Sequence, residues 1–211
     1  GQLQVLSDIL ELKDEENIAI IATERSLQPH LPPYEYLKSK CIKLNLGEEI
    51  NLAELSIRFS ECGYVKSNNV DQEGTWTRRG DIIDIYPVSS ELPIRLELFG
   101  DLLDKIKEFD PISQRSLVQI NNVCITPTGF APLIINKLIS TDNKDISCLF
   151  TNDEFSELVN SNKLDSPKKY LGVAFDKPSS LLNYLDDKPF VVVDERSQGK
   201  SHGEAWHKNV S

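Results

Sequence analysis

The sequence predicts an α/β fold: a β-rich α+β module, a meandering antiparallel sheet plus one helix, inserted between two β/α segments. Three observations carry that reading. Residues 64–125 alternate apolar and polar side chains, broken by turn residues, which is the period of half-buried strands. Residues 51–63 form one helical stripe with its own start and stop signals. Both flanks mix helical spacing with short unbroken apolar runs, the pattern of strands covered on both faces. The expected divisions are 1–40, 41–127 and 128–211.

The 211 residues carry 23 Lys+Arg against 33 Asp+Glu, a formal charge of -10. With 39% hydrophobic and 27% charged residues the chain has enough apolar surface to fold. A polyanion binder is disfavoured, because affinity for a nucleic-acid backbone comes from Lys and Arg neutralising phosphates. No apolar run approaches the ~20 residues of a membrane span, so no membrane partner is expected. Methionine is absent, which fits a piece of a longer chain. The four cysteines are far apart and accompanied by three histidines, with no C-x-x-C pair. That argues against a metal site and for reduced, mostly buried thiols in a cytoplasmic protein.

Leu3, Leu6, Ile9 and Leu10 recur at helical spacing, and Ile18–Ala22 reads as a strand buried on both faces. Pro29, Pro32 and Pro33 then impose an extended crossing, followed by a short strand from Ile42 to Leu46. Asn51 caps a helix whose stripe is Leu52, Leu55, Phe59 and Cys62, with Glu54 placed to reach back and Gly63 as a left-handed stop. The strands expected next are Tyr64–Val65, Gly74–Thr77, Asp81–Tyr86, Ile94–Phe99, Lys105–Phe109 and Leu117–Ile125. Beyond Pro127 and Gly129, strands are expected at Ile146–Phe150, Tyr170–Phe175 and Phe190–Val193. Helices are expected to follow Thr151, carrying Phe155, Leu158 and Val159, and to span Ser179–Leu185.

Two features imitate nucleotide chemistry. Phe190–Glu195 has the form of an apolar strand ending in a carboxylate pair, and Gly199-Lys200-Ser201 resembles the end of a phosphate loop. A phosphate loop needs a further glycine five residues before Gly199; Asp194 stands there, and its charge would repel phosphate. The order along the chain is also reversed. No cofactor is therefore expected in this chain. His202 and His207 lack the H-E-x-x-H spacing that puts two imidazoles and a base on one helical face. Asn209-Val210-Ser211 matches a glycosylation acceptor that a cytoplasmic chain does not present to that machinery.

The Ile94–Phe99 strand is more informative. Ile94, Leu96 and Leu98 share one face and can pack on the helix, so Arg95, Glu97 and Phe99 share the other. An aromatic beside an arginine on a polar face is the residue mix of protein-binding hot spots. Arg79 leads into the Asp81–Tyr86 strand and joins that patch if the strands are neighbours.

The strings Thr77–Pro87 (TRRGDIIDIYP) and Pro93–Asp101 (PIRLELFGD) closely resemble the UvrB-like module shared by the excision-repair protein UvrB and the transcription-repair coupling factors. The continuation Phe109–Leu117 (FDPISQRSL) is similar to the coupling factors, since UvrB typically lacks the Gln-Arg pair seen here as Gln114-Arg115. This resemblance implies that residues 41–127 bind UvrA, the damage-sensing ATPase. It implies that the flanks belong to a partial, degenerate RecA-like β/α domain. The UvrA-binding residues it implies are Arg79, Arg95 and Phe99, with Glu97 between them. The chain is then a non-catalytic adaptor. ATP-Mg, RNA polymerase and duplex DNA are expected to engage only other parts of an ATP-driven translocase. The alternative is a fragment of UvrB itself. Leu98, where the family often has a second aromatic, departs from the pattern on the inward face.

Overall fold

Strand pairing follows the hydrophobic alternation closely. The computed structural model describes residues 2–11, 19–140, 150, 151, 153, 164, 167–185 and 189–210. Its main feature is a six-stranded sheet in sequential order: β2 (Val65–Lys66), β3 (Thr75–Arg79), β4 (Ile82–Ile85), β5 (Ile94–Phe99), β6 (Leu102–Phe109) and β7 (Ser116–Ile120). All neighbours pair antiparallel except β2 with β3. A second, two-stranded ribbon joins β1 (Ile42–Asn45) to β8 (Asn122–Ile125). The expected Leu117–Ile125 strand is thus two strands in different sheets, with Asn121 at the break.

Helix α3 (Leu52–Glu61) covers the inner face of the large sheet. Asn51 caps it, its side-chain oxygen accepting from the Ala53 and Glu54 N–H groups at 3.0 and 3.2 Å. Phe59 from α3 meets Trp76 from β3 with ring centroids 5.3 Å apart. Around them pack Ile83, Ile85, Ile94, Leu96, Leu103 and Ile106, all fully or almost fully buried. This core lies wholly within residues 42–125. After α3 the chain reverses at Gly63 (φ 88°), where a Cβ would run into Thr128 and Pro132.

A second core surrounds α4 (Phe130–Ser140), with Leu133, Ile134 and Leu138 against Leu6, Ile9 and Leu10 of α1 (Gln2–Glu11) and Leu37 of α2 (Tyr34–Lys40). The two cores meet at the β1–β8 ribbon. Tyr64 Oη donates to the Thr126 carbonyl (2.8 Å), Asn136 Nδ2 to the Glu61 carbonyl (2.8 Å), and Tyr36 Oη to the Leu133 carbonyl (3.1 Å).

The flanks depart from expectation at three places. Residues 170–175 form no strand; a 3-10 turn (Pro167–Tyr170) runs into α5 (Leu171–Ala174). Leu171, Ala174 and Phe175 are the buried positions, and their i, i+3, i+4 spacing is helical. Residues 19–22 and 190–193 also form no strand: Ile21 is wholly exposed, and Phe190 is 93% exposed. Neither run has a neighbouring strand among the described residues, and a ladder needs a partner. The expected Ser179–Leu185 helix shrinks to one 3-10 turn, Leu181–Tyr184. The strand expected at 146–150 and the helix after Thr151 lie outside the described residues, apart from Phe150, Thr151 and Asp153; the Phe150 ring stacks on Tyr170 at 5.1 Å. The last element is α6 (Arg196–Val210). Among the described residues no helix is long and apolar enough to cross a membrane.

Candidate protein-interaction face

The outer face of the sheet is organised in rows. Strand register puts Arg79, Ile82, Glu97 and Lys105 opposite one another across β3–β6. The adjacent row is Thr77, Asp84, Arg95, Lys107 and Gln119. Cross-strand partners share a face, so Arg79, Arg95 and Glu97 come together as the alternation of β5 implies. The inward partners Ile94, Leu96 and Leu98 are buried.

Two hairpins with the same turn residues end at one edge of this face. The β3–β4 turn is Arg79-Gly80-Asp81-Ile82 and the β5–β6 turn is Phe99-Gly100-Asp101-Leu102. Gly80 and Gly100 have φ of 62° and 64°, a backbone that favours glycine at the turn of a tight hairpin. The tips are tied together where the Leu98 N–H donates to the Asp81 carbonyl at 2.9 Å. Each turn therefore holds a residue just before its glycine, Arg79 or Phe99, and an aliphatic residue just after its aspartate. Phe99 is 80% exposed, while Ile82 and Leu102 are 40% and 39% exposed. Ile82 and Leu102 were not among the residues expected at the site. The signal that identifies them is their place after each Gly-Asp pair.

The four expected site residues differ in how freely they can meet a partner. Phe99 projects into solvent. Arg79 is exposed, with one terminal nitrogen donating to the Asn68 carbonyl (2.7 Å) and to Asn69 Oδ1 (3.3 Å). Arg95 is largely engaged within the fold. Its Nε and Nη2 fork onto Asp84 Oδ1 and Oδ2 at 2.7 and 2.9 Å, and Nη1 donates to the Gln114 carbonyl at 3.2 Å. The guanidinium also lies 4.7 Å from the centroid of the buried Phe109 ring. The hydrogen bond that Arg95 donates to Asp84 leads the causes that raise the Arg95 pKa above its ordinary value. Glu97 accepts from Lys107 Nζ at 2.7 Å and lies 3.6 Å from Lys105 Nζ. The Lys107 hydrogen bond, foremost, holds its carboxyl below the usual range. An aromatic tip, two aliphatic side chains and one accessible arginine thus surround a centre of paired charges. Such a face offers apolar contact at its edge and fixed polarity in its middle.

The features that imitate nucleotide chemistry take a different form. Gly199-Lys200-Ser201 lies inside α6, with the Gly199 N–H donating to the Glu195 carbonyl at 3.2 Å instead of wrapping an anion as a loop. His202 and His207 both fall on this helix. Among the described residues no cluster of three or more His, Cys, Asp or Glu is arranged to hold a metal ion.

Residues 42–129 match the family profile described as the UvrB interaction domain. The chain is also similar to the transcription-repair-coupling factor of Bacillus subtilis, 30% identical over 92% of this chain and 18% of the relative. It is 28% identical to that of Staphylococcus haemolyticus over 82% of this chain and 16% of the relative. Against the Haemophilus influenzae protein it is 23% identical over 97% of this chain and 18% of the relative. The chain therefore spans about a sixth to a fifth of the length of these relatives. The Arg79 and Phe99 hairpin tips both lie inside the matched residues 42–129.

Proposed function

Taking the chain as a region of the transcription-repair-coupling-factor family that carries a UvrB interaction domain, we propose that it is a non-catalytic adaptor that binds UvrA. The observation that carries the reading is the exposure of Phe99, 80%, at a hairpin tip beside Ile82, Leu102 and Arg79. A large exposed aromatic rimmed by polar side chains is what a protein partner desolvates. Phe99 supplies apolar area. Arg79 supplies donors to a partner carboxylate or carbonyl. Arg95 and Glu97 belong to the same UvrA-facing surface, where their partners in the fold fix their positions before binding, so less entropy is lost on association.

The parent protein is proposed to be an ATP-driven translocase that displaces stalled RNA polymerase in the cytoplasm and recruits excision repair. RNA polymerase, duplex DNA and ATP-Mg would engage its other parts. The flanks are read as the margins of a degenerate RecA-like β/α domain. The exposed apolar side chains of Ile21 and of residues 190–193, in runs unpaired among the described residues, support that reading. The alternative, a fragment of UvrB, is set aside because coupling factors match 82% or more of the chain in each comparison above.

The test is calorimetric titration of the 211-residue chain with UvrA, beside parallel titrations with duplex DNA and with ATP-Mg. Saturable binding of UvrA, with no binding of DNA or nucleotide near physiological salt, is the expected result. Failure to bind UvrA would overturn the proposal.

A further inference from the structure

Three of the four cysteines lie together where the two cores meet, and the adaptor role uses none of them. Cys41 ends α2 and directly precedes β1; Cys124 lies on β8; Cys62 caps α3. All three are free thiols and buried. In the β1–β8 ribbon Ile42 faces Ile125 and Lys43 faces Cys124. Cys41 therefore sits diagonally across from Cys124 on the same face, a pairing whose Cα atoms are usually about 7–8 Å apart. We propose that Cys41 and Cys124 are a peroxide-oxidisable dithiol that closes into a disulfide across the neck of the UvrB-type module.

The two thiols are within hydrogen-bond reach of each other. Forming the ~2.05 Å sulfur–sulfur bond then asks for side-chain rotation and for backbone movement at Cys41, which is a helix cap and not a ladder residue. In the resting pair the Cys41 S–H donates to the Leu37 carbonyl at 3.4 Å. When Cys41 ionises, the Cys124 S–H can stabilise the thiolate, and that hydrogen bond lowers the Cys41 pKa. Lys43 adds in the same direction, against burial, Cys62 and Glu11. Cys41 is therefore the attacking sulfur. Cys62 is the resting neighbour: its Sγ donates to the Lys40 carbonyl at 3.3 Å, and burial pushes its thiol up to about 11.

The chemistry balances with hydrogen peroxide, small enough for thiols this buried. The Cys41 thiolate attacks one peroxide oxygen, the O–O bond breaks, and hydroxide leaves, giving a sulfenic acid. Cys124 then attacks the Cys41 sulfur; the S–O bond breaks, and the Cys124 proton leaves with the hydroxyl as water. Two thiols are oxidised, one peroxide is reduced and two waters result. The bond joins the strands by which the chain enters and leaves the module, so it fastens the module to its flanks.

The test treats the intact chain with hydrogen peroxide and maps a non-reduced digest by mass spectrometry. Expected are loss of two of the four thiols and a Cys41–Cys124 linked peptide that dithiothreitol separates. In Cys124→Ser, dimedone should trap a sulfenic acid at Cys41. In Cys41→Ser, thiol oxidation should slow by roughly tenfold or more, since the activated sulfur is gone. Persistence of all four thiols, a link through Cys62 or Cys148, or a link between two chains would overturn the proposal, and the mapping of the unsubstituted chain decides this whether or not a variant folds.

Discussion

Arg95 and Asp84 form a bidentate pair across β4 and β5, with Nε–Oδ1 at 2.7 Å and side-chain exposures of 17% and 4%. An arginine expected to serve a partner protein is thus first a part of the sheet. Replacing Arg95 by alanine leaves the Asp84 carboxylate buried without its cation, and breaking such a pair costs about 3 kcal/mol. Arg95→Ala and Asp84→Ala should each lower the unfolding free energy by that amount, as read from urea midpoints and slopes. The double variant should cost less than the sum of the two. Loss of UvrA binding in Arg95→Ala must accordingly be read beside its stability.

Leu96 sits on the opposite face of the same strand, wholly buried under α3. Leu96→Ala should cost roughly 2–5 kcal/mol as a core truncation. Denaturant unfolding followed by circular dichroism measures it.

Gly63 makes the turn from α3 into β2 with a φ of 88°, and the space for a side chain is taken by Thr128 and Pro132. Both the backbone and the packing oppose Gly63→Ala. A loss of at least about 1 kcal/mol is expected. A melting temperature equal to that of the unsubstituted chain would show that the Gly63–Pro132 approach is looser than described.

The Glu97–Lys107 contact has a pH signature. The folded pKa of Glu97 lies below its unfolded value, so its small contribution is complete above the unfolded pKa of roughly 4.3. It is lost as pH falls through the folded value. An NMR titration should place the Glu97 midpoint below that of a model peptide, and Lys107→Gln should move it upward. The effect on overall stability is slight, because the carboxyl remains in contact with water.

Much of the module is legible in its residues. Asn51 announces the start of α3, and the alternation from Ile94 to Phe99 places Leu96 inside and Phe99 outside. What is not legible depends on register between distant segments. Nothing local says that Asp84 and Lys107 both lie opposite Arg95, a register that sets the Phe109 ring on the same face beside the Arg95 guanidinium. The engagement of Arg95 and Glu97 was therefore invisible, although their shared face was not. In the flanks the difficulty is different. Short apolar runs such as 170–175 suit a buried strand or a buried helix turn equally, and only packing decides between them.

The most direct measurement is UvrA binding by the Phe99→Ala chain, with Arg79→Ala beside it. Phe99 is 80% exposed, so its loss should leave stability within about 0.5 kcal/mol. Calorimetric titration should show affinity for UvrA falling by roughly 2 kcal/mol, about thirtyfold, in each variant. Unchanged affinity in a folded Phe99→Ala chain would contradict the assignment of the hairpin tips as the UvrA-binding face.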